Sequence, residues 1–146
     1  MNKREFIFCF LNSLIALIIG LIIYIYIDVD SYLANLINGF IKIEKIQISS
    51  NFFQCLRNWG GDFLWSFSLF FSLAISVSNK FPVKTIALIS ILFSIIIESL
   101  QLIKINNIKC GTFDIYDIIS SCFAIWIGLL VLYAFKYIDY RKGGRQ

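Results

Sequence analysis

Four apolar runs, each long enough to cross a bilayer, leave this chain little choice of fold. They cover residues 6–27, 59–78, 83–103 and 115–138. A helix rising 1.5 Å per residue needs about 20 residues to traverse some 30 Å of hydrocarbon. The four runs take up most of the 146 residues, 59% of which are hydrophobic. A soluble domain this small has too little interior to hide so much apolar surface. In lipid, backbone polar groups must also be satisfied within the segment, so each run is predicted to be helical. The expected fold is all-α, a single polytopic transmembrane domain over residues 1–146 with a bundle of about four helices.

The first run follows Met1, Asn2, Lys3 and Arg4, as in a secretory leader. It is too long for one and lacks a small-residue cleavage motif, so it is read as a retained span. The second run is interrupted by Asp62 and five serines. A tight turn over 79–84, containing the sole proline, Pro82, joins the second run to the third, and residues 104–114 join the third to the fourth. The longest connection, 28–58, is expected to be external. Asp30 or Ser31 can cap a helix there. Tyr32, Leu33, Leu36, Ile37, Phe40 and Ile41 then share one face, predicting an amphipathic segment in the interface between the first and second spans.

Basic residues in short loops set orientation. With the N-terminus cytoplasmic, eight lie inside (Lys3, Arg4, Lys80, Lys84, Lys136, Arg141, Lys142 and Arg145) and five outside (Lys42, Lys45, Arg57, Lys104 and Lys109). Both termini are therefore expected in the cytoplasm of a multi-pass protein. Tyr24, Tyr26, Trp59 and Trp65 at one end, and Tyr133, Tyr137 and Tyr140 at the other, suit interfacial belts.

Apolar contact does not drive helices together in lipid, so small and weakly polar stripes mark the contacts. The first span offers Asn12, Ala16 and Gly20, and the second Ser68, Ser72 and Ser76. The third offers Ala87, Ser94, Glu98 and Gln101, with Ser90 beside them. The fourth offers Asp117, Ser121, Ala124 and Gly128. Each stripe steps by three or four residues and so occupies one helix face.

The carboxylates need more explanation than packing. An ionisable side chain inside a span is costly unless it faces the bundle or water. Glu98 is such a group, with Gln101 one turn on. Asp114 and Asp117 open the fourth span, where acids complement the helix dipole. Asp62 enters the second span at the same level, near Arg57. Asp62, Glu98, Gln101, Asp114 and Asp117 are thus expected to converge near the outer interface. Three readings stay open. The cluster can bind a divalent cation, at Glu98, Asp114 and Asp117. It can be a polar lock neutralised by Arg57 or Lys109. It can be the acid/base pair of a lipid-modifying enzyme. No other cofactor is evident.

Histidine is absent, which removes Ser-His hydrolysis, His-ligated metals and phosphohistidine chemistry. The net charge of +4 is spread without a basic groove, so nucleic acid is not an expected partner. Cys9 and Cys122 lie inside apolar runs. Cys55 and Cys110 fall in connections assigned to one side, where a disulfide between them is conceivable.

The order of these elements resembles the VanZ-like family of bacterial membrane proteins. The likeness runs from about Arg57 to Gly128. It rests on RNWGGD ending at Asp62, the E-x-x-Q pair Glu98 and Gln101, and GTFDIYD from Gly111 to Asp117. The sequence departs from the family pattern at Phe63, Gly111 and Ser121, where members often carry Lys, Arg and Asn. The resemblance implies an envelope protein of the bacterial cytoplasmic membrane that contributes to resistance to teicoplanin-type glycopeptides. Its outward acidic site would engage a lipid headgroup, a cell-wall precursor, the glycopeptide or a cation. Two other classes stay open: a small membrane enzyme acting on a lipid-linked substrate, and a structural subunit of a membrane complex.

Overall fold

Helix α1 (Lys3–Tyr26) begins at a reciprocal cap. The Asn2 carboxamide oxygen accepts the Glu5 N–H at 2.8 Å, and the Glu5 carboxylate accepts the Asn2 N–H at 3.3 Å. This is a capping box with Asn in the leading position. The computed structural model describes residues 1–26, 51–100, 104–105, 108–109 and 114–143, with side chains over 1–26, 58–100 and 114–141. Helices α2 (Asn51–Val77), α3 (Val83–Leu100) and α4 (Ile115–Gly143) complete the bundle. All four are long and apolar enough to cross a membrane. A two-residue antiparallel ladder, β1 (Lys104–Ile105) with β2 (Ile108–Lys109), sits between α3 and α4.

Two boundaries differ from the hydropathy pattern. Helix α2 starts at Asn51 rather than 59, so residues 51–58 of the presumed external segment are helical. Helix α4 continues to Gly143 rather than 138. In both cases the apolar run ends before the helix does, because polar residues such as Asn51, Gln54 and Asp139 are tolerated once the backbone is hydrogen-bonded. Arg141 lies over the Tyr137 ring at 4.8 Å, an i, i+4 contact in that extension. The amphipathic segment expected at 32–41 lies outside the described residues, as does Cys110. The Cys55 side chain lies outside the described side chains.

Helix α2 ends where Lys80 and Phe81 both donate to the Val77 carbonyl, at 2.9 and 3.0 Å. Pro82 cannot extend that helix but suits the start of the next. Its carbonyl accepts from Thr85 and Ile86. Helix α2 is central, packed on α1, α3 and α4, while α3 also packs on α4.

The bundle is polarised inside to outside in the sense lipid requires. Along α1, the large side chains Phe6, Phe10, Leu14, Ile18 and Leu21 face outward, whereas Cys9, Ser13, Ala16 and Ile23 face inward. A soluble helix would bury its large residues. In hydrocarbon those residues are solvated, and small ones let backbones approach. The apolar core gathers Phe70, Phe71 and Ala74 of α2, Ile86 and Ala87 of α3, and Ile125 and Leu132 of α4. Phe8 of α1 stacks on Phe135 of α4 at 4.0 Å.

Chain order places both described ends at one pole. The Met1 ammonium donates to the Asn79 side-chain oxygen at 2.9 Å, and Arg4 pairs with Asp139 at 3.3 Å. Lys136 pairs with Glu5 at 3.4 Å. The start of α1, the α2–α3 turn and the end of α4 therefore share this pole, and sequence neighbours among α2, α3 and α4 run antiparallel.

The packing stripes are refined by the structure. Ser68, Ser94, Ser121, Ala124 and Gly128 are buried, and Gly20 approaches Leu64. Ser72 is half-buried. Ser76 is exposed, its hydroxyl turned back onto the Ser72 carbonyl at 2.9 Å. In α1 the polar contact comes from Ser13 rather than Asn12. The Ser13 hydroxyl lies 2.8 Å from that of Ser68 and 2.9 Å from that of Ser72. Asn12 satisfies its amide locally, on the Phe8 carbonyl.

Candidate functional site

The pole opposite the termini is acidic, and three helices build it. Glu98, in the last turn of α3, is only 5% exposed. Asp62, in the first membrane-level turns of α2, is half-buried, as are Asp114 and Asp117 at the entry to α4. The first turn of a helix leaves N–H groups without internal partners. Here Asp114 supplies one acceptor, taking the Tyr116 N–H at 2.9 Å, and Glu98 supplies another, taking the Asp114 N–H at 3.3 Å. Glu98 thus ties the end of α3 to the start of α4.

The carboxyl groups of Asp62 and Asp117 stand close enough to interact with each other. Both also lie within electrostatic range of Glu98 and Asp114. Two ionised carboxylates have only acceptors to offer, so a contact between them needs a proton or a cation in the gap. Among the described residues, no group of three Asp, Glu or Cys side chains is arranged to hold a metal ion.

A second polar tier lies beneath the acids. Ser66 and Ser121 follow Asp62 and Asp117 by four residues and Ser94 precedes Glu98 by four, which sets each serine about 6 Å deeper in the bundle than its acid. All three are buried. The Ser66 and Ser94 hydroxyls are 3.3 Å apart, and the Ser94 hydroxyl also contacts the Ser90 carbonyl at 3.2 Å. Ser90 turns back to the Ile86 carbonyl. Below that, Phe70, Phe71 and Ile125 close the bundle with no exposed surface. Among the described residues, the polar column gives way to this apolar layer.

Asp62, Glu98, Asp114 and Asp117 are brought together. Gln101 lies outside the described residues, and the Arg57 and Lys109 side chains lie outside the described side chains. Two contributors escaped the sequence reading. Ser66 is fully buried one turn below Asp62, and its i+4 spacing from that residue was the available signal. Ser13 forms the face with Ala16 and Gly20, but the neighbouring Asn12 carries the stronger polar group and drew the assignment.

No protein-family model, no curated protein and no solved structure matches the chain. The likeness to the VanZ-like family rests on the sequence motifs alone.

Proposed function

We propose that this chain is a VanZ-like protein of the bacterial cytoplasmic membrane, with both termini cytoplasmic. Its acidic pole faces outward and binds a cationic or hydrogen-bond-donating group. A lipid headgroup, a cell-wall precursor or a glycopeptide of the teicoplanin type supplies that group, and the interaction alters susceptibility to the drug. One observation carries this reading: four carboxyl groups brought by three helices collect at one pole of the bundle, above a tier of buried serines. The concentration of negative charge at the interface favours a cation, by the same attraction that a low-dielectric surface strengthens.

The test is native mass spectrometry of gently purified protein, beside drug susceptibility of cells expressing it. The doubly neutralised variant Asp62→Asn with Asp117→Asn should stay folded, lose its bound ligand and lose its effect on susceptibility. Ligand binding and susceptibility both unchanged in that variant would overturn the reading. Retention of calcium by the wild-type protein would favour a divalent cation as the bridging group.

A second reading draws on the nearness of Asp62 and Asp117, two carboxyl groups that can share acid and base roles. It makes the chain a small membrane enzyme acting on a lipid-linked substrate. Turnover of such a substrate, abolished by Asp117→Asn in folded protein, separates it from the binding role.

A further inference from the structure

At the pole where Arg4 meets Asp139, a groove of about 550 Å³ opens between α1 and α4. These two helices pack on α2 more than on each other, and Phe8 stacked on Phe135 bridges them. Ile7, Phe8, Leu11, Phe135 and Ile138 form the apolar wall, and Arg4 and Asp139 belong to the same lining. From Arg4 to Leu11 the wall runs about 10 Å at 1.5 Å per residue. That is within the ~15 Å of hydrocarbon that one leaflet provides. Tyr137 and Tyr140, both exposed, flank Ile138 and Asp139 and suit the headgroup level. The volume falls in the ~300–1,000 Å³ range of small-molecule sites.

Charge at this mouth is unbalanced. The described side chains of the pole include Lys3, Arg4, Lys80, Lys84, Lys136 and Arg141, joined by the Met1 ammonium, against the carboxylates of Glu5 and Asp139. Both carboxylates are already engaged. Glu5 pairs with Lys136 at 3.4 Å. One Asp139 oxygen accepts from Arg4 at 3.3 Å, and the other accepts from the Asn2 amide at 3.2 Å. The Asp139 side chain is 22% exposed and that of Arg4 75%. Among the described residues, Asp139 is the one acceptor on the guanidinium, and it engages Nη1 alone. A guanidinium carries five N–H donors in a planar fork, so most of the fork remains for an acceptor at the mouth.

We propose that this groove holds one acyl chain of an anionic phospholipid, with the phosphate bound by Arg4. The apolar wall takes the chain at the depth where hydrocarbon lies. The Arg4 fork can meet two phosphate oxygens at once, while Asp139 steadies the guanidinium from the protein side. The surplus of positive charge selects the headgroup. An anionic headgroup is attracted, whereas a zwitterionic one brings a cation of its own to a pole already in positive excess. Basic pockets between membrane spans hold anionic headgroups by this combination. The site lies at the opposite pole from the acidic cluster, and neither assignment depends on the other.

In native mass spectrometry of the full chain with equimolar dioleoyl phosphatidylglycerol, phosphatidylethanolamine and phosphatidylcholine, the glycerol lipid should be retained several-fold over the other two. Arg4→Gln, at an exposed side chain, should stay folded and lose most of that preference. Lys80→Ala with Lys84→Ala removes more positive charge from the same pole but lies outside the groove, and it should keep the preference. A second measurement places a fluorophore in the wall. With Trp59, Trp65 and Trp126 replaced by Phe, Leu11→Trp should be quenched more strongly by acyl-brominated phosphatidylglycerol than by acyl-brominated phosphatidylcholine in mixed vesicles. Leu92→Trp on α3 is the control. Leu92 is as far along its helix from Lys84 as Leu11 is from Lys3, and is similarly exposed, so it should show no headgroup difference. Equal retention of the three lipids would overturn the proposal. So would a preference that survives Arg4→Gln, or one that the paired Lys changes remove as completely. No headgroup difference at Leu11, or one of equal size at Leu92, would overturn the groove as the place where the lipid sits.

Discussion

The main-chain N–H of Asp114 donates to the Glu98 carboxylate at 3.3 Å, so an acid from the end of α3 caps the entry to α4. Glu98 is buried, whereas the Asp114 N–H that it accepts is partly buried. This separates the role of its oxygen from the role of its charge. Glu98→Gln keeps an acceptor oxygen, whereas Glu98→Ala leaves a partly buried N–H unsatisfied, at a cost of about 1–3 kcal/mol. In thermal or denaturant unfolding in mild detergent, the Gln variant should match the parent within about 1 kcal/mol, and the Ala variant should fall clearly below it. Equal losses in both would mean that the capping oxygen contributes nothing.

The three hydroxyls of Ser13, Ser68 and Ser72 form the polar contact between α1 and α2. Interhelical hydrogen bonds in membranes average about 0.6 kcal/mol and reach about 1.7. Ser13→Ala should therefore destabilise the protein by that order, and adding Ser68→Ala should cost less than the two single changes summed. Ser13→Leu should do more damage, because it also props α1 away from α2. A double-mutant cycle measured by unfolding checks the first expectation. Strict additivity of Ser13→Ala and Ser68→Ala would argue against a shared network.

The spans were legible because hydropathy over 20 residues needs no tertiary information. The face each helix turns inward was legible wherever small residues recur, as at Ser68, Ala124 and Gly128. What escaped depended on partners. Ser13 and Asn12 are adjacent in sequence, and only the position of Ser68 on another helix decides between them. Ser76 continues the stripe of Ser68 and Ser72, yet it is exposed and its hydroxyl bonds to its own helix. Hydropathy cannot see where a helix stops once it leaves the apolar zone, which is why Asn51 and Gly143 lie beyond the expected edges. The acids on α2, α3 and α4 were legible as a level along the membrane normal, whereas the Glu98–Asp114 cap and the facing of Asp62 with Asp117 required the fold.

At Gly128, α2 and α4 approach closely. A Cβ added there would stand 2.8 Å from Cδ1 of Phe70, a ring with no exposed surface. Gly128→Ala gains about 1 kcal/mol in helix propensity but forces that ring against a closed core, which typically costs about 1–3 kcal/mol. Phe70→Leu removes the obstructing ring atoms. The two changes should therefore couple favourably, with Gly128→Ala destabilising in the parent and harmless in the Phe70→Leu background. Unfolding of the four proteins in one detergent gives the coupling energy, and a value near zero would place the close approach elsewhere.

The start of α1 and the last turns of α4 lie together because Arg4 meets Asp139, and the Met1 ammonium meets Asn79 at the same pole. The Arg4 side chain is 75% exposed, and an exposed pair of this kind contributes at most about 1 kcal/mol. Arg4→Ala should accordingly leave unfolding almost unchanged. The weight of this pole lies in its charge: Lys3, Arg4, Lys80, Lys84, Lys136 and Arg141 cluster there, and Lys and Arg near span ends are retained in the cytoplasm. Reporter fusions at either terminus should both report cytoplasm. In a cysteine-free background of intact cells, a cysteine at Asn79 should resist a membrane-impermeant maleimide, and one at Tyr116 should react. Reporters on opposite sides would break the four-span arrangement, since an even number of crossings is what brings Arg4 to Asp139. Both termini outside would keep the bundle and invert it, turning the acidic pole to the cytoplasm and removing it from any ligand presented at the cell surface.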